Sequence, residues 1–467
     1  MAAEIGIMVP HPPIIMKEVG RGEEKKISAT DAAYRVAAKR VADSDPETLI
    51  IISPHTVLYG DYFHVSGGEG AHGDMGKFNA PEVSFDVKYD EELISYIDGT
   101  AHETGFPAGT LGETMPELDH GTMVPLYYLL PLMPDVKIVR VGLSGMSYEE
   151  HYSMGLVIKH AVEKTGRRVA VIGSGDLSHK QKEDGPYGLV PEGPEYDEKI
   201  MDVMGRAAFG ELLTFDEKFC DRAAECGHKS FIIMAGIFNG RDVKAEILSH
   251  EATFGVGYGV GIFTPGELNE DRRFLRKIHD IREAELAVSR KKESPWVQLA
   301  RETVETFINT HEIPDYKERD YGSEELNSEF HDRKAGVFVS IHKHGALRGC
   351  IGTFLPSTEC IADEIVQNAV GASVRDPRFM PIRGDELSSL EISVDVLETP
   401  ESVSDRSALD PKIYGVIVTS GSKRGLLLPD LPGVDTVEEQ LSIACEKAGI
   451  DTSEDYEIER FKVVRHL

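Results

Sequence analysis

Short apolar runs alternate with longer amphipathic segments along the first half of the chain. Residues 5–9, 49–52 and 168–172 are rich in branched aliphatic side chains and are typical of buried strands. Residues 31–42 carry apolar side chains at helical spacing between the first two runs, which predicts a β-α-β unit. Residues 136–141 add a further strand. This alternation predicts an α/β domain over residues 1–267.

The second half has a different pattern and predicts a separate domain. Residues 337–342 alternate apolar and polar side chains, and a turn at 343–345 leads into a return strand that starts at Leu347. The segment before them, residues 268–290, is charged and lacks a broad apolar stripe, so we interpret it as a linker helix. A chain of 467 residues is long enough for two domains, and the second, also of α/β type, is predicted to span 291–467.

Histidines follow the ends of the first two predicted strands. His11 comes after Val9 and Pro10, and His55 comes after Ser53 and Pro54. A strand that stops at proline holds the next side chain at the carboxyl edge of the sheet, where α/β folds place their ligand sites. Any single histidine is most often a hydrogen-bonded or surface residue. Two at one edge can share a metal such as iron, copper or zinc.

Five short segments resemble the class III extradiol dioxygenase (LigB) superfamily, including its Memo branch; they are residues 9–13, 53–55, 119–121, 175–179 and 225–227. The resemblance covers roughly residues 1–265 and implies a three-layer α/β/α domain. By this resemblance, His11 and His55 are metal ligands, His179 is the acid/base residue and His120 lines the site. The implied metal is divalent, foremost Fe(II), with zinc or copper as alternatives.

The sequence leaves the third ligand open. Catechol-cleaving members of the superfamily use a carboxylate, whereas Memo proteins have a cysteine before glycine, and here Glu225 and Cys226 are adjacent. Glu251 follows another strand-like run and is a further carboxylate candidate, although a surface acid at a strand end is the ordinary interpretation. Asp176 lies three residues before His179 and either orients that imidazole or forms an Asx-turn.

The octapeptide Leu-Arg-Gly-Cys-Ile-Gly-Thr-Phe at 347–354 resembles the hallmark of the AMMECR family, and four further segments agree with it; they are residues 299–303, 372–379, 390–397 and 424–429. The resemblance implies an α/β domain with a cleft. We expect Arg348, Cys350, Arg375 and Arg378 to line this cleft. Cys350 is either a nucleophile beside Arg348 or a packed structural cysteine, and the arginines either clamp an anion or form local ion pairs.

Composition narrows the functional classes. The net charge of −30 repels phosphate backbones, so general nucleic-acid binding is not expected. The five cysteines include no CxxC pair, which favours reduced thiols and a cytoplasmic location. No apolar run approaches the length of a membrane span, and the N-terminus lacks the pattern of a signal peptide.

Together the two resemblances suggest a fusion of components of the prokaryotic AmmeMemoRadiSam system, which implies a radical SAM protein as partner. Three functional hypotheses follow: a metal-dependent redox or modification factor of Memo type, an extradiol-type dioxygenase that cleaves a catechol-like ring, and a non-enzymatic scaffold. Fusion to an AMMECR domain favours the first, because a catabolic ring-cleaving enzyme has no evident use for that domain.

Overall fold

The computed structural model describes residues 3–112, 116–343, 345–431, 433–452 and 455–467. The chain divides into two compact units, Met1–Ile278 and His279–Leu467. Helix Phe274–Arg290 occupies the charged segment between the two predicted domains, and the boundary between the units falls within it.

In the described part of the first unit the strands are β1 (Ile5–Val9), β2 (Thr48–Ser53), β3 (Phe63–His64), β4 (Gly70–Met75), β5 (Ala80–Lys88), β6 (Ala108–Gly109), β7 (Lys137–Gly142), β8 (Val169–Ser174), β9 (Arg241–Glu251) and β10 (Tyr258–Leu268). Its helices are α1 (Lys17–Gly20), α2 (Ser28–Asp43), α3 (Glu91–Thr104), α4 (His120–Leu129), α5 (Tyr148–Thr165), α6 (Glu192–Gly205), α7 (Glu217–Ala223) and α8 (His228–Ile237), followed by α9 (Phe274–Arg290).

The main sheet has six strands in the order β7-β2-β8-β1-β10-β9. The first four are parallel, whereas β10 runs antiparallel to β1 and β9 antiparallel to β10. Strands β1, β2 and β8 are buried along their whole length, as expected for strands covered on both faces. Although α1 and α2 connect β1 to β2 in the sequence, β8 lies between these two strands in the sheet.

Helices cover both faces of this sheet. A Cβ at Gly173 of β8 would meet Phe231 of α8, whereas the next side chain, Ser174, points the other way and donates a hydrogen bond to Gly121 O on α4. Helix α5 packs behind α8, and Gly155 lets the two backbones approach, since a Cβ there would lie 2.3 Å from Ile233 O. Helix α2 packs against α4 on the opposite face. The predicted three-layer α/β/α architecture is therefore confirmed.

Small strands lie beside β7, the edge strand of the main sheet. Strands β4 and β5 form an antiparallel hairpin, and β3 pairs with β6. Tyr89 bridges to Ile138 of β7 just after β5 ends, which ties the hairpin to the sheet. This hairpin supplies one wall of the cavity described below.

The second unit begins within α9, and its further helices among the described residues are α10 (Pro295–Thr310), α11 (Glu324–His331), α12 (Ile361–Val374) and α13 (Val437–Ala448). Its strands are β11 (Val337–Lys343), β12 (Ala346–Gly352), β13 (Leu390–Leu397), β14 (Glu401–Val403), β15 (Gly415–Ser420), β16 (Lys423–Leu427), β17 (Glu457–Phe461) and β18 (Val463–His466).

These strands form two sheets, both antiparallel, in the orders β12-β11-β13-β18 and β14-β17-β15-β16. Helices α10 and α12 cover the first sheet, and α13 covers the second. Leu397, Ile417 and Phe461 form a small apolar cluster contributed by both sheets. The hallmark octapeptide forms β12 at the edge of the first sheet, and His344 of the predicted turn lies outside the described residues.

In the part of the chain that the structure describes, no helix combines the length and the apolar composition needed to cross a membrane.

Candidate metal centre

The first two predicted ligands meet at the carboxyl edge of the main sheet. His11 follows β1 and His55 follows β2, and because these strands are parallel both side chains leave the sheet at the same edge. Their Nε2 atoms lie 3.0 Å apart. At this distance the two lone pairs require a proton or a cation between them.

Cys226 completes a group of three potential ligands. Its Sγ lies 3.5 Å from His11 Nε2, and the ligand atoms of His11, His55 and Cys226 all lie within 4.8 Å of one another. A single ion that binds two imidazole nitrogens at about 2.1 Å and at right angles holds them about 3.0 Å apart, so the observed separation fits a shared ion. Two imidazoles and a thiolate form a donor set that suits zinc, copper or iron.

A hydrogen-bond chain fixes the protonation of His11. Ser174 Oγ donates to Gly121 O at 2.6 Å, so it must accept the 2.9 Å hydrogen bond from His11 Nδ1–H. With the proton on Nδ1, the neutral imidazole presents a bare Nε2 toward His55 and Cys226. Such an outer partner is characteristic of metal-ligating histidines. His11 is only 2% exposed, and burial followed by the charges of three nearby histidines keeps its pKa well below the usual value.

His55 is more exposed than His11 and is held through the start of α4. Ser53 Oγ accepts the backbone N–H of His55 at 3.2 Å and donates to Asp119 at 2.5 Å. Asp119 is the N-cap of α4, where it accepts the Thr122 N–H at 3.0 Å. The His120 ring stacks on the His55 ring with their centroids 4.1 Å apart. The cap of α4 therefore positions both imidazoles.

Cys226 lies in the turn between α7 and α8 and is tied to the loop after β8. Its Sγ accepts the Asp176 N–H at 3.3 Å, and its own N–H donates to Asp176 O at 3.3 Å. Burial raises the pKa of the thiol well above its usual value. Metal binding at this position would therefore release the thiol proton.

The two carboxylate candidates for the third ligand lie elsewhere. Glu225 accepts the His228 N–H at the start of α8 at 2.6 Å, and burial raises its pKa to about 7. Glu251 accepts both the backbone N–H and the hydroxyl of Thr30, at 2.7 and 2.6 Å. Neither carboxylate belongs to the group of converging ligand atoms, so the alternative that the structure brings together with the two histidines is Cys226.

Asp176 contacts a ligand rather than the expected acid/base residue. Its Oδ1 accepts the backbone N–H of His11 at 2.8 Å, and burial raises its pKa to about 7. The predicted hydrogen bond to His179 is absent from the described residues, because the turn after β8 directs the carboxylate toward β1. Asp176 thus positions His11 and the Cys226 turn, and a role in orienting His179 stays a prediction.

His179 lies near the group without joining it. Its Nε2 is buried and has no hydrogen-bond partner among the described residues, while its ring stacks on Tyr187 at 5.3 Å between centroids. Burial, followed by the charge of His55, lowers the pKa of His179. His179 Nε2 therefore remains an unused nitrogen among the described residues, as a group that accepts and returns a proton requires.

A cavity of about 300 Å³ adjoins His55 and His120. The β4–β5 hairpin forms one wall, with Lys77 and Phe78 contributed by the turn of the hairpin, and the segment before α4 forms another. Burial and then the charge of His55 lower the pKa of His120 to about 4, so this side chain enters the cavity neutral. The histidines were visible in the sequence, whereas no motif marked the hairpin residues.

Of the four residues predicted to line a cleft in the second unit, two arginines form local ion pairs. Arg348 makes two hydrogen bonds of 3.0 Å with Glu386 and donates to Met380 O at 2.8 Å. Arg378 pairs with Asp376 at 2.7 Å. Both arginines therefore form the local ion pairs of the structural alternative and are not free to clamp an anion.

The other two predicted cleft residues, Cys350 and Arg375, lie in different surroundings. Cys350 is half-buried, and its Sγ accepts the Ser340 hydroxyl across the β11–β12 pair at 3.2 Å. Its backbone N–H donates to Asp376 at 2.9 Å, and its carbonyl accepts from Arg378 at 3.2 Å. Arg375, in contrast, lines a separate cavity beside α12.

The first unit is an α/β/α domain that carries three converging potential metal ligands, and the second unit is a separate domain. Comparison with known families shows that the chain belongs to the LigB family: residues 5–261 match the model described as the catalytic LigB subunit of aromatic ring-opening dioxygenase. Residues 297–466 match the AMMECR1 family. Both resemblances drawn from the sequence are thus confirmed.

Relatives share either the whole arrangement or one part of it. Protein CA_C1420 of Clostridium acetobutylicum is 42% identical over 470 residues, which covers 98% of each chain. A protein of Thermotoga maritima is 49% identical over 178 residues, covering 37% of this chain and 98% of its own. The fused arrangement therefore also occurs in a clostridial protein.

Two solved structures are also similar to parts of the chain. The uncharacterized protein PH0010 of Pyrococcus horikoshii is 29% identical, with a TM-score of 0.33, and the match covers 37% of this chain and 89% of that one. The uncharacterized protein JW3007 of Escherichia coli K12 is 12% identical, with a TM-score of 0.37, over 56% of this chain and 99% of that one.

Proposed function

We propose that this chain is a metal-dependent redox or modification factor whose metal is held by His11, His55 and Cys226. The convergence of two imidazole nitrogens and one thiol within 4.8 Å is the observation that carries the proposal. The outer partners Ser174 and Asp176 support it, because they hold His11 with a bare nitrogen facing the other two ligands.

The surrounding residues divide the work around such a centre. When bound, a divalent metal, foremost Fe(II), with zinc or copper as alternatives, supplies Lewis acidity or electron transfer. His179 takes a proton from a bound molecule at Nε2 and later returns it. His120, stacked on His55, presents a neutral ring to a ligand in the cavity of about 300 Å³. The hairpin that bears Phe78 limits the access of water to that cavity.

The donor set favours this proposal over ring cleavage. Extradiol chemistry relies on iron held by two histidines and one carboxylate, which leaves adjacent positions for a bidentate catecholate and for dioxygen. Here the third group is a thiol, and the nearby carboxylates of Glu225 and Asp176 are held by backbone N–H groups instead. Cleavage of a catechol-like ring remains the second candidate, since the family match favours it and His179 Nε2 has no hydrogen-bond partner among the described residues.

The partner is part of the proposal and follows from the two family matches alone. LigB-type and AMMECR domains resemble components of a system with a radical SAM protein, so we propose that such a protein is the factor's partner. Co-purification of the two proteins from a shared expression host, with and without the second unit, measures whether they bind each other.

Metal analysis of protein purified without oxygen tests the centre. We expect about one equivalent of metal per wild-type chain and its loss in the variant Cys226→Ala. Glu225→Gln is the matched control, since it changes the adjacent candidate ligand and should keep the metal. Loss of metal in Glu225→Gln with retention in Cys226→Ala would reverse the assignment, and a wild type without metal would support the scaffold hypothesis.

Oxygen uptake separates the two enzymatic candidates. Metal-loaded protein is mixed with catechol without oxygen and is then exposed to oxygen. If the chain is a redox or modification factor, it should keep its metal and leave the catechol ring intact. Stoichiometric oxygen uptake with a yellow ring-opened product would instead establish the dioxygenase.

A further inference from the structure

One arginine of the AMMECR-like segment 372–379 has no partner among the residues of the second unit that the structure describes. The guanidinium of Arg375 makes no hydrogen bond or ion pair among the described residues, although the chain has 80 acidic side chains against 50 basic ones. Every other arginine of this unit has an interaction partner: Arg282, Arg290, Arg301, Arg319, Arg333, Arg348, Arg378, Arg383, Arg406, Arg424, Arg460 and Arg465. An unpaired arginine is therefore the exception here.

Arg375 follows α12 and lines a cavity of about 550 Å³. The floor of this cavity is apolar, with Val366 and Val370 of α12 only 4% and 5% exposed and Phe307 of α10 beside them. Ile313, which is 52% exposed, forms part of its rim. A pocket of this size with an apolar floor is typical of small-molecule sites.

The charges at the rim favour a negatively charged group. Lys317 lines the same cavity and, like Arg375, has no ion pair among the described residues. Two carboxylates also line it, but Asp363 accepts the Tyr316 hydroxyl at 2.6 Å and Glu359 pairs with Lys334 at 2.7 Å. The two cations are thus available to a ligand. Glu359 is neutralised by Lys334, whereas Asp363 keeps its charge, so with Lys334 counted the rim has three cations against two carboxylates.

We propose that this cavity binds a carboxylate attached to an apolar body, with Arg375 as its anchor. The planar guanidinium binds a carboxylate through two parallel hydrogen bonds, and the valine floor takes the apolar part of the ligand. A free organic acid and the carboxyl-terminal residue of a peptide share this chemistry. The site lies wholly within the second unit and is independent of the metal centre.

Saturation-transfer NMR and calorimetry on the full chain test the proposal with hexanoate, phenylacetate and their uncharged amides as probes. At least one acid should bind more tightly than its amide. Loss of a charge-assisted hydrogen bond costs about 1.5 to 3 kcal/mol, so Arg375→Gln should weaken that acid by about tenfold or more. Arg375→Lys should restore only part of the affinity, because lysine lacks the fork.

Arg383→Gln is the matched control. Arg383 is exposed, its guanidinium pairs with Asp385 and it does not line the cavity, so its replacement should leave binding unchanged. A second pair of probes, acetyl-Ala-Leu with a free and with an amidated carboxyl terminus, distinguishes the sources: preference for the free peptide over both acids assigns a peptide terminus, and the reverse assigns a small acid.

Two results would overturn the site. One is that no acid or free peptide binds more tightly than its amide. The other is that Arg375→Gln lowers the melting temperature but leaves binding unchanged, in which case Arg375 only stabilises the carboxyl-terminal end of α12 through its charge.

Discussion

Individual side chains determine the chemistry of the candidate metal centre of His11, His55 and Cys226, and Ser174 is the clearest case. Its hydroxyl has one proton, which goes to Gly121 O, so His11 must donate from Nδ1 and keep Nε2 bare. Ser174 of β8 and Gly121 of α4 therefore determine which ring nitrogen of His11, the residue that follows β1, carries the proton.

The variant Ser174→Ala tests this role. Removal of the hydroxyl leaves His11 free to carry its proton on either nitrogen, and we expect the metal affinity to fall by about tenfold to a hundredfold. Competition with a chromophoric chelator measures the change. Ser230→Ala is the control, because the buried Ser230 hydroxyl has no hydrogen-bond partner among the described residues and its loss should not alter metal binding. Equal affinity in both variants would show that Ser174 does not act on the centre.

His179 and His55 should respond differently to the same replacement. His179→Ala should keep the metal and lower any turnover by about 10² to 10⁴, the usual effect of losing a general base. His55→Ala should lose the metal itself, since His55 belongs to the converging group. Metal content and oxygen uptake measured on both proteins check this, and equal metal loss would mean that the two roles are wrongly assigned.

At this scale the sequence predicted the candidate metal ligands better than the residues that hold those ligands in place. His11 and His55 are visible because proline ends their strands, and that signal is local. The role of Ser174 is not local, since it depends on a contact with Gly121 more than fifty residues away. Glu225 and Cys226 are adjacent in the turn before α8, and sequence spacing does not predict which of the two side chains points toward the histidines.

At the scale of elements, the edge of the first sheet in the second unit depends on the partly buried ion pair of Arg348 and Glu386. Burial alone would raise the pKa of Glu386, but hydrogen bonds from Arg348, the Arg383 N–H and Lys343 lower it to about 2. The folded protein therefore holds this carboxylate more strongly charged than the unfolded chain does, where the pKa is about 4.3. The pair contributes stability above that value, and the contribution is lost as the pH falls toward 2.

We accordingly predict that Glu386→Gln lowers the melting temperature of the second unit at pH 7 and that the difference from wild type shrinks steadily below about pH 4.3. Scanning calorimetry of both proteins between neutral and acidic pH measures it. Asp385→Asn is the control, since its exposed pair with Arg383 should contribute little at any pH. A difference that stays constant with pH would show that Glu386 acts only through packing.

The sequence predicted the elements of the main sheet well and the small hairpin poorly. Runs such as Ile5–Val9 are apolar throughout because both faces of the strand are covered, and this is a strong signal. Strand β4 is half-exposed and rich in glycine and polar residues, so it forms only because β5 pairs with it. In β5 the alternation of Val83, Phe85 and Val87 was the available signal.

At the scale of the whole molecule, the chain has two units with separate apolar cores. The N-terminal end of α9 belongs to the first unit, where Phe274 packs against Gly210. Its last residue, Arg290, donates to Leu387 O and Ser388 O of the second unit. Each end of the helix is therefore held by the unit to which it belongs.

Expression of residues 1–278 and 279–467 as separate proteins should therefore give two pieces that each melt cooperatively. The first piece should also bind metal as the full chain does, because all three candidate ligands lie within it. Calorimetry and metal analysis of each piece measure this. A piece that is unfolded alone would contradict the separation, and the predicted boundaries at 268 and 290 would then be wrong as well.

The ion pair of Asp376 and Arg378 has a consequence for how copies of this protein behave toward one another. The pair engages the N–H and the carbonyl of Cys350, which point away from β11 at the outer margin of the sheet. An unprotected margin of this kind is a template on which another chain can add a strand, and it promotes aggregation. Hydrogen bonds from Arg378 hold the pKa of Asp376 well below its usual value, so this protection persists in mild acid. Asp376→Ala should make the protein form aggregates that light scattering detects on mild warming, whereas Asp385→Ala should remain monodisperse under the same conditions.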